Sequence, residues 1–197
     1  LTFVVSALLF GKMNKEIVIY LVLIVIEMFT GFFDDAADKP WGEYLKGFLD
    51  FAVAVVVALV FLHYNSSTIT LAIFGKTVAI SPVLFGILTV ILVWASINVT
   101  NCSDGVDGLC ASLSCVVIFA FSMIFHDVLG SFTVANYLFV AALLAYLYFN
   151  TSPSSMLMGD AGSRALGFYI AILAMQSRHP FLYLLMAGVM IVDGGIG

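Results

Sequence analysis

The chain has 197 residues, of which 63% are hydrophobic and only 10% charged, and its net charge is −5. A soluble domain carries about 45–50% apolar and about 25% charged residues, so this composition excludes a soluble globular fold and marks an integral membrane protein. The seven Lys and Arg residues are scattered and form no basic stripe, which excludes nucleic acid as a partner and means that an anionic substrate would need an accompanying cation.

In chain order, apolar runs predict a partial helix at 2–10 and full helices at 17–33, 45–63, 83–97, 109–125, 133–149, 163–175 and 181–192. Several fall short of the ~20 residues of a straight span, and flanking polar residues and tilt make up the difference. Between 65 and 81, β-branched and polar residues alternate, with Phe74-Gly75-Lys76 between Thr68-Ile69-Thr70-Leu71 and Thr77-Val78-Ala79-Ile80. The pattern predicts a small β-hairpin, and because open strand edges cannot sit in lipid, the hairpin marks one aqueous face. The expected architecture is an all-α polytopic membrane bundle, one transmembrane domain over 1–197, with a hairpin near 65–81. Both ends break off inside apolar stretches, at Leu1 and Gly197, so the chain reads as an internal portion of a longer protein. Cys102, Cys110 and Cys115 are odd in number and lack the close spacing of zinc or redox motifs, which predicts packing rather than bridging.

Counting crossings from the hairpin puts the turns after Phe33, Ile97 and Phe149 on the opposite face. Those turns hold three polar islands: Phe33-Asp34-Asp35, the run from Asn98 to Gly108, and Met158-Gly159-Asp160-Ala161-Gly162-Ser163. Asp34, Asp35, Asp38, Glu43, Asp104, Asp107 and Asp160 therefore share one face, while the other shows chiefly Glu16 and Asp127. Basic residues do not orient the chain, since Lys39, Lys46 and Arg164 on the motif side balance Lys12, Lys15, Lys76 and Arg178 on the other. His63, His126 and His179 fall on the hairpin side, where structural or interfacial roles are expected.

Carboxylates at the edge of hydrocarbon lose solvation unless they are paired, metal-bound or open to water, so the islands read as one site for a metal and a nucleotide phosphate. Adjacent residues on a helix diverge by about 100°, which gives Asp34 and Asp35 different jobs. Asn98, Asn101, Asp104 and Asp107 recur every three residues, so a continuous helix would align four polar groups in one stripe. Amides suit a sugar or base edge, and carboxylates suit Mg²⁺, which takes oxygen ligands and substrate phosphates. Gly105 and Gly108 permit tight turns or close approach to a ligand; the alternative is a loop that caps the next helix. In the third island Gly159 and Gly162 bracket Asp160, and Ser163 is placed at a helix start whose free N–H groups favour anions, with Arg164 as an adjacent cation. An ordinary capping turn is the alternative there. Lys46 could meet a phosphate or snorkel to the interface, and Glu27 and Asp50 could pair between helices or line the site.

The ordered set of a double aspartate after a span, Asn-x-x-Asn-x-x-Asp-Gly-x-Asp-Gly-Leu from Asn98 to Leu109, and Met-Gly-Asp-Ala-Gly-Ser from Met158 to Ser163 resembles the polyprenyl-phosphate N-acetylhexosamine-1-phosphate transferase superfamily. The short link over 150–157 and the continuation Arg164-Ala165-Leu166-Gly167 look more like its bacterial phospho-N-acetylmuramoyl-pentapeptide transferase branch than its GlcNAc-phosphate transferases. The resemblance implies a multi-pass enzyme of the bacterial inner membrane, commonly a homodimer, with an extracytoplasmic hairpin and a cytoplasmic Mg²⁺ site. It implies transfer of phospho-MurNAc-pentapeptide from UDP to undecaprenyl phosphate, with release of UMP and formation of lipid I for the peptidoglycan wall; UDP-GlcNAc is the alternative donor. By motif position, Asp34, Asp35 and Asp160 match the catalytic carboxylates, and Asp160 with Asp104 the metal side. Lys46, Asn98, Asn101, Asp104, Gly105, Asp107, Gly159 and Ser163 match the substrate-binding groups. The family's basic loop after the double aspartate is clipped here to 36–40, and its late histidine-rich motif is missing. A cation-coupled transporter is the rival from another class, and it would place its carboxylates near mid-membrane.

Overall fold

The computed structural model describes residues 1–71, 76–130 and 132–196. Helix α1 covers Thr2–Phe10, and α2 covers Lys15–Asp35, started by Asn14, whose side chain accepts the Ile17 N–H at 2.7 Å. Helix α3 runs over Glu43–Tyr64. Helix α4, Pro82–Cys102, begins with Ser81 as its cap and proline in its first turn, where a missing N–H costs nothing. Helix α5 covers Leu109–Ile124, a single turn α6 covers His126–Leu129, and α7 covers Phe132–Asn150. Helix α8, Gly159–Gln176, is followed by two short pieces, α9 over Leu182–Met186 and α10 over Gly188–Ile196. Among the described residues, four helices, α2, α3, α4 and α7, are long and apolar enough to cross a membrane, and α5 is apolar but shorter. This is a multi-pass helical membrane protein.

Helix α8 is the axis of the bundle. Every residue from Ser163 to Met175 is buried, which its composition allows because it is apolar on all sides except where a specific partner waits. It packs chiefly against α4 and α2. Small residues set these contacts: a Cβ on Gly167 would lie 2.5 Å from the Ser96 carbonyl oxygen, and one on Gly31 would lie 2.4 Å from the Asp160 carbonyl carbon. The Ser96 hydroxyl donates to the Gly167 carbonyl at 2.7 Å, closing the α4–α8 seam with a buried hydrogen bond.

Strands β1, Thr68–Leu71, and β2, Lys76–Ala79, pair antiparallel with Ile69 opposite Val78 and Thr70 opposite Thr77. The expected hairpin is present; Phe74 and Gly75 lie outside the described residues. The Thr70 N–H donates to the Arg178 carbonyl at 3.0 Å, so the hairpin sits on the segment that follows α8. His179 stacks on Phe125 at that same end, as the crossing count predicts. The cysteines are free, with Cys110 and Cys115 buried.

Three helix boundaries differ from expectation by a turn or more. Helix α4, expected to end at 97, runs on to Cys102. The run at 181–192 is not one helix: the backbone leaves helical geometry at Ala187, with φ −92° and ψ 11°, and divides it into α9 and α10. Helix α8 begins at Gly159 and not at Ser163, because its first turn is capped from a distant part of the chain.

Candidate active site

The end of α2 delivers two carboxylates to two places. Asp34 is buried, accepts the Trp41 N–H, and lies 2.7 Å from the Lys46 ammonium. Asp35 is exposed and accepts the N–H groups of Asp160 at 3.3 Å and Ala161 at 3.2 Å. A carboxylate on the unpaired donors of a helix N-terminus meets both a hydrogen-bonding need and the positive end of the dipole. The α8 N-terminus is thus occupied by Asp35, where the sequence reading placed a free anion site. Gly159 makes the approach possible: its φ is 63°, and a Cβ there would stand 2.6 Å from Asp35 Oδ2.

Asp160 stands half-buried between two donors. Asn101 Nδ2 lies 2.8 Å from its Oδ1, and Lys46 Nζ lies 3.3 Å from its Oδ2. Lys46 therefore bridges Asp34 and Asp160, with Glu43 a further 3.5 Å partner, and it does not snorkel. Asn101 also donates to the Ser163 hydroxyl at 2.9 Å, and that hydroxyl donates to the Gly159 carbonyl at 2.9 Å. Ser163 is consequently an inner support of the turn that carries Asp160, not a helix cap.

The second island does not form one stripe. The helix stops at Cys102, and Ser103–Gly105 makes a 3-10 turn in which Asp104 has φ −87° and ψ 25°. Asn101 turns toward the third island, and the Asp104 carboxyl lies within electrostatic reach of Asp160 and Asp35. Asp107 points elsewhere, accepting the Ser154 N–H at 3.2 Å and the Ser154 hydroxyl at 2.8 Å. Asn98 donates to the Trp94 carbonyl at 2.8 Å and reaches Asp50 at 3.5 Å. Gly105 is exposed, and a Cβ there would meet nothing within 4 Å. Gly108, at φ 77°, starts α5, and its N–H donates to the buried Asn150 side chain at 3.0 Å. Arg164 corrects another expectation. It is buried and directed at Asp50 and Glu27, so it gives the anion site no charge.

The donor set at this end consists of carboxylate and amide oxygens, which suits a hard cation. Among the described residues, no three His, Cys, Asp or Glu side chains converge as a ready cage. One or two carboxylates, Asp160 and Asp104 first, fit a Mg²⁺ that fills its other positions with water and substrate phosphate. An apolar cleft of about 370 Å³, bordered by Met28, Leu143, Met158 and Ala161, abuts the first turn of α8 and includes none of the carboxylates.

With this geometry in place, the comparisons carry weight. The model of glycosyl transferase family 4 matches residues 17–178, which hold all three islands. The chain belongs to glycosyl transferase family 4. Its relatives include the phospho-N-acetylmuramoyl-pentapeptide-transferase of Treponema pallidum, 42% identical over 190 residues, covering 86% of this chain and 52% of the relative. The enzymes of the same name from Francisella philomiragia and Symbiobacterium thermophilum are 30% and 28% identical, over 96% and 93% of this chain and 60% and 58% of theirs. The chain thus spans a little over half the length of these curated relatives.

In this family 4 chain the three polar islands mark the right helix ends, but several of their partners lie outside them: the Trp41 N–H on Asp34, Ser154 on Asp107, and Asn150 under Gly108 come from segments with no pattern of their own. Asn150 offered one readable signal, an amide at the end of an apolar run that must find a partner once buried.

Proposed function

We propose that this chain carries the catalytic centre for moving phospho-MurNAc-pentapeptide from UDP to undecaprenyl phosphate, in the inner membrane of a bacterium with the carboxylate end facing the cytoplasm. The observation that carries this reading is the gathering of Asp34, Asp35, Lys46, Asn101 and Asp160, from four helices, with Asp104 from the turn after α4, at one end of a membrane bundle. The name shared by the family 4 relatives supplies the donor and reaction class.

In the transfer, an oxygen of the lipid phosphate forms a bond to the sugar-linked phosphorus, the pyrophosphate bond breaks, and UMP leaves. A phosphate monoester has a second pKa near 6, so the acceptor is ionised at neutral pH and positioning dominates over proton removal. Mg²⁺, when bound, supplies charge neutralisation between donor diphosphate and acceptor. Asp160, with Asp104, would hold it. Lys46 adds a fixed positive charge between Asp34 and Asp160, and this reading gives that charge to the phosphates. Asp35 locks the turn that presents Asp160, and Asn101 fixes that carboxylate's rotation. Gly105 belongs to the substrate face, Asp107 and Ser163 support it through the turns they brace, and Asn98 stands a turn below it against Asp50. A homodimer and an extracytoplasmic hairpin belong to the same reading.

The reading is tested by following UMP release from the full-length protein with undecaprenyl phosphate, Mg²⁺ and either UDP-MurNAc-pentapeptide or UDP-GlcNAc. Release that depends on the first donor is expected. Preference for UDP-GlcNAc overturns the donor and keeps the reaction class, while no UMP with either donor overturns the reading.

A further inference from the structure

The four helices that build the site repeat themselves one layer deeper. The upper layer takes Asp34 from α2, Lys46 from α3, Asn101 from α4 and Asp160 from α8. The lower layer takes Glu27, Asp50, Asn98 and Arg164 from the same helices in the same order. Lys46 and Asp50 are four residues apart, as are Asp160 and Arg164, so each pair lies on one helical face. The signs are exchanged between layers: α3 gives the cation above and the anion below, and α8 the reverse. Arg164 Nη2 contacts Asp50 Oδ1 directly and lies 3.5 Å from Glu27 Oε2, with all three residues buried.

This lower layer is a poor stabiliser. Buried ion pairs lose much of their Coulombic gain to desolvation, and here Glu27 Oε1, Arg164 Nε and Arg164 Nη1 have no hydrogen-bond partner among the described residues. What such a triad does supply is register. Helix α3 packs on α4 and α2 rather than on α8, so the side-chain pairs Asp50–Arg164 and Lys46–Asp160 are what tie α3 to α8; apolar packing tolerates rotation and sliding, whereas a charge pair with directional hydrogen bonds does not. Fixing Asp50 against Arg164 fixes, one turn higher, the direction in which Lys46 and Asp160 face each other.

We propose that the Glu27–Asp50–Arg164 triad is a positioning device that sets the rotation of α3 against α8 and so holds Lys46 between Asp34 and Asp160. Its kinetic consequence rests on the functional reading above; its structural one does not.

The test uses the full-length protein, with Arg164→Leu, Arg164→Lys and the apolar replacement E27L/D50L/R164L. Two quantities are read: acylation of Lys46 by a water-soluble amine reagent, by mass spectrometry, and the kcat and KM of UMP release. The expected result for Arg164→Leu is severalfold faster Lys46 acylation and a kcat lower by about 100-fold, since an error of about 1 Å at a reacting centre carries that penalty. KM for the nucleotide changes less than kcat, because Lys46 is one of several upper-layer groups that hold it. Arg164→Lys recovers part of both. If Arg164→Leu leaves two unpaired buried carboxylates and fails to fold, the apolar triple replacement decides: it should fold, yet show the same loss of Lys46 protection. Wild-type protection of Lys46 in the folded triple variant overturns the proposal. Absence of UMP release from the wild type would overturn the functional reading alone, since Lys46 labelling still reports on the triad.

Discussion

The two ends of the bundle both hold carboxylates, and they satisfy them in opposite ways. At the hairpin end, Glu16 Oε1 accepts from Asn65 at 2.6 Å, from Tyr20 at 3.1 Å and from Gln176, three neutral donors from three helices or their caps. At the other end, Asp160 faces a lysine and an amide, Asp35 takes backbone N–H groups, and both remain open to water in part. A carboxylate saturated by neutral donors acts as a clamp between helices. One opposed by a single shared cation, with lone pairs to spare, can take a new cation or phosphate without dismantling the fold.

The largest expected contrast comes from Asp160→Asn, which should lower UMP release by about 10³-fold while leaving the melting temperature in detergent nearly unchanged. Activity within tenfold of wild type would move the metal role elsewhere. Lys46→Met comes next. It removes the charge shared by Asp34 and Asp160 and should reduce turnover by about 100-fold, with half-maximal activity at lower Mg²⁺, because two carboxylates that lose their counter-charge attract a cation more strongly. Glu16→Ala should do the reverse of Asp160→Asn: it strands three donors, costs about 1–3 kcal/mol of stability by denaturant or thermal unfolding, and leaves turnover per folded molecule unchanged. A fall in kcat there would dissolve the contrast between the two ends. Ser154→Ala is the smallest change. Its hydroxyl contact to Asp107 is exposed, so a stability loss of about 0.5 kcal/mol is expected, detectable by the same unfolding measurement.

Much of this architecture was legible because membrane helices are written in long apolar runs and a hairpin cannot hide in lipid. Crossing parity alone brought Asp34, Asp104 and Asp160 to one end, and the divergence of Asp34 from Asp35 followed from the helical turn. What stayed illegible depended on partners far away in the chain. The capping carboxylate on Ala161 lies 126 residues earlier, so a run containing two glycines read as a turn until Ser163, although the helix starts at Gly159. Three-residue spacing predicted one polar stripe, but helix α4 ends at Cys102 and Asp107 finds Ser154. Arg164 beside an anionic island looked like an anion binder; its helical face is turned inward, where Asp50 and Glu27 await it. Local pattern gives an element and its ends within a turn, while the direction of a charged side chain is a property of the neighbours it buries against.

On the proposed reading, Asp160 and its neighbours hold a divalent cation against the diphosphate of a nucleotide sugar. Mn²⁺ in place of Mg²⁺ makes this directly observable by electron paramagnetic resonance of the full-length protein. Addition of UDP-MurNAc-pentapeptide should convert free Mn²⁺ to a bound signal in the wild type and in Glu16→Ala, and not in Asp160→Asn. An unchanged bound signal in Asp160→Asn would show that Asp160 does not hold the cation.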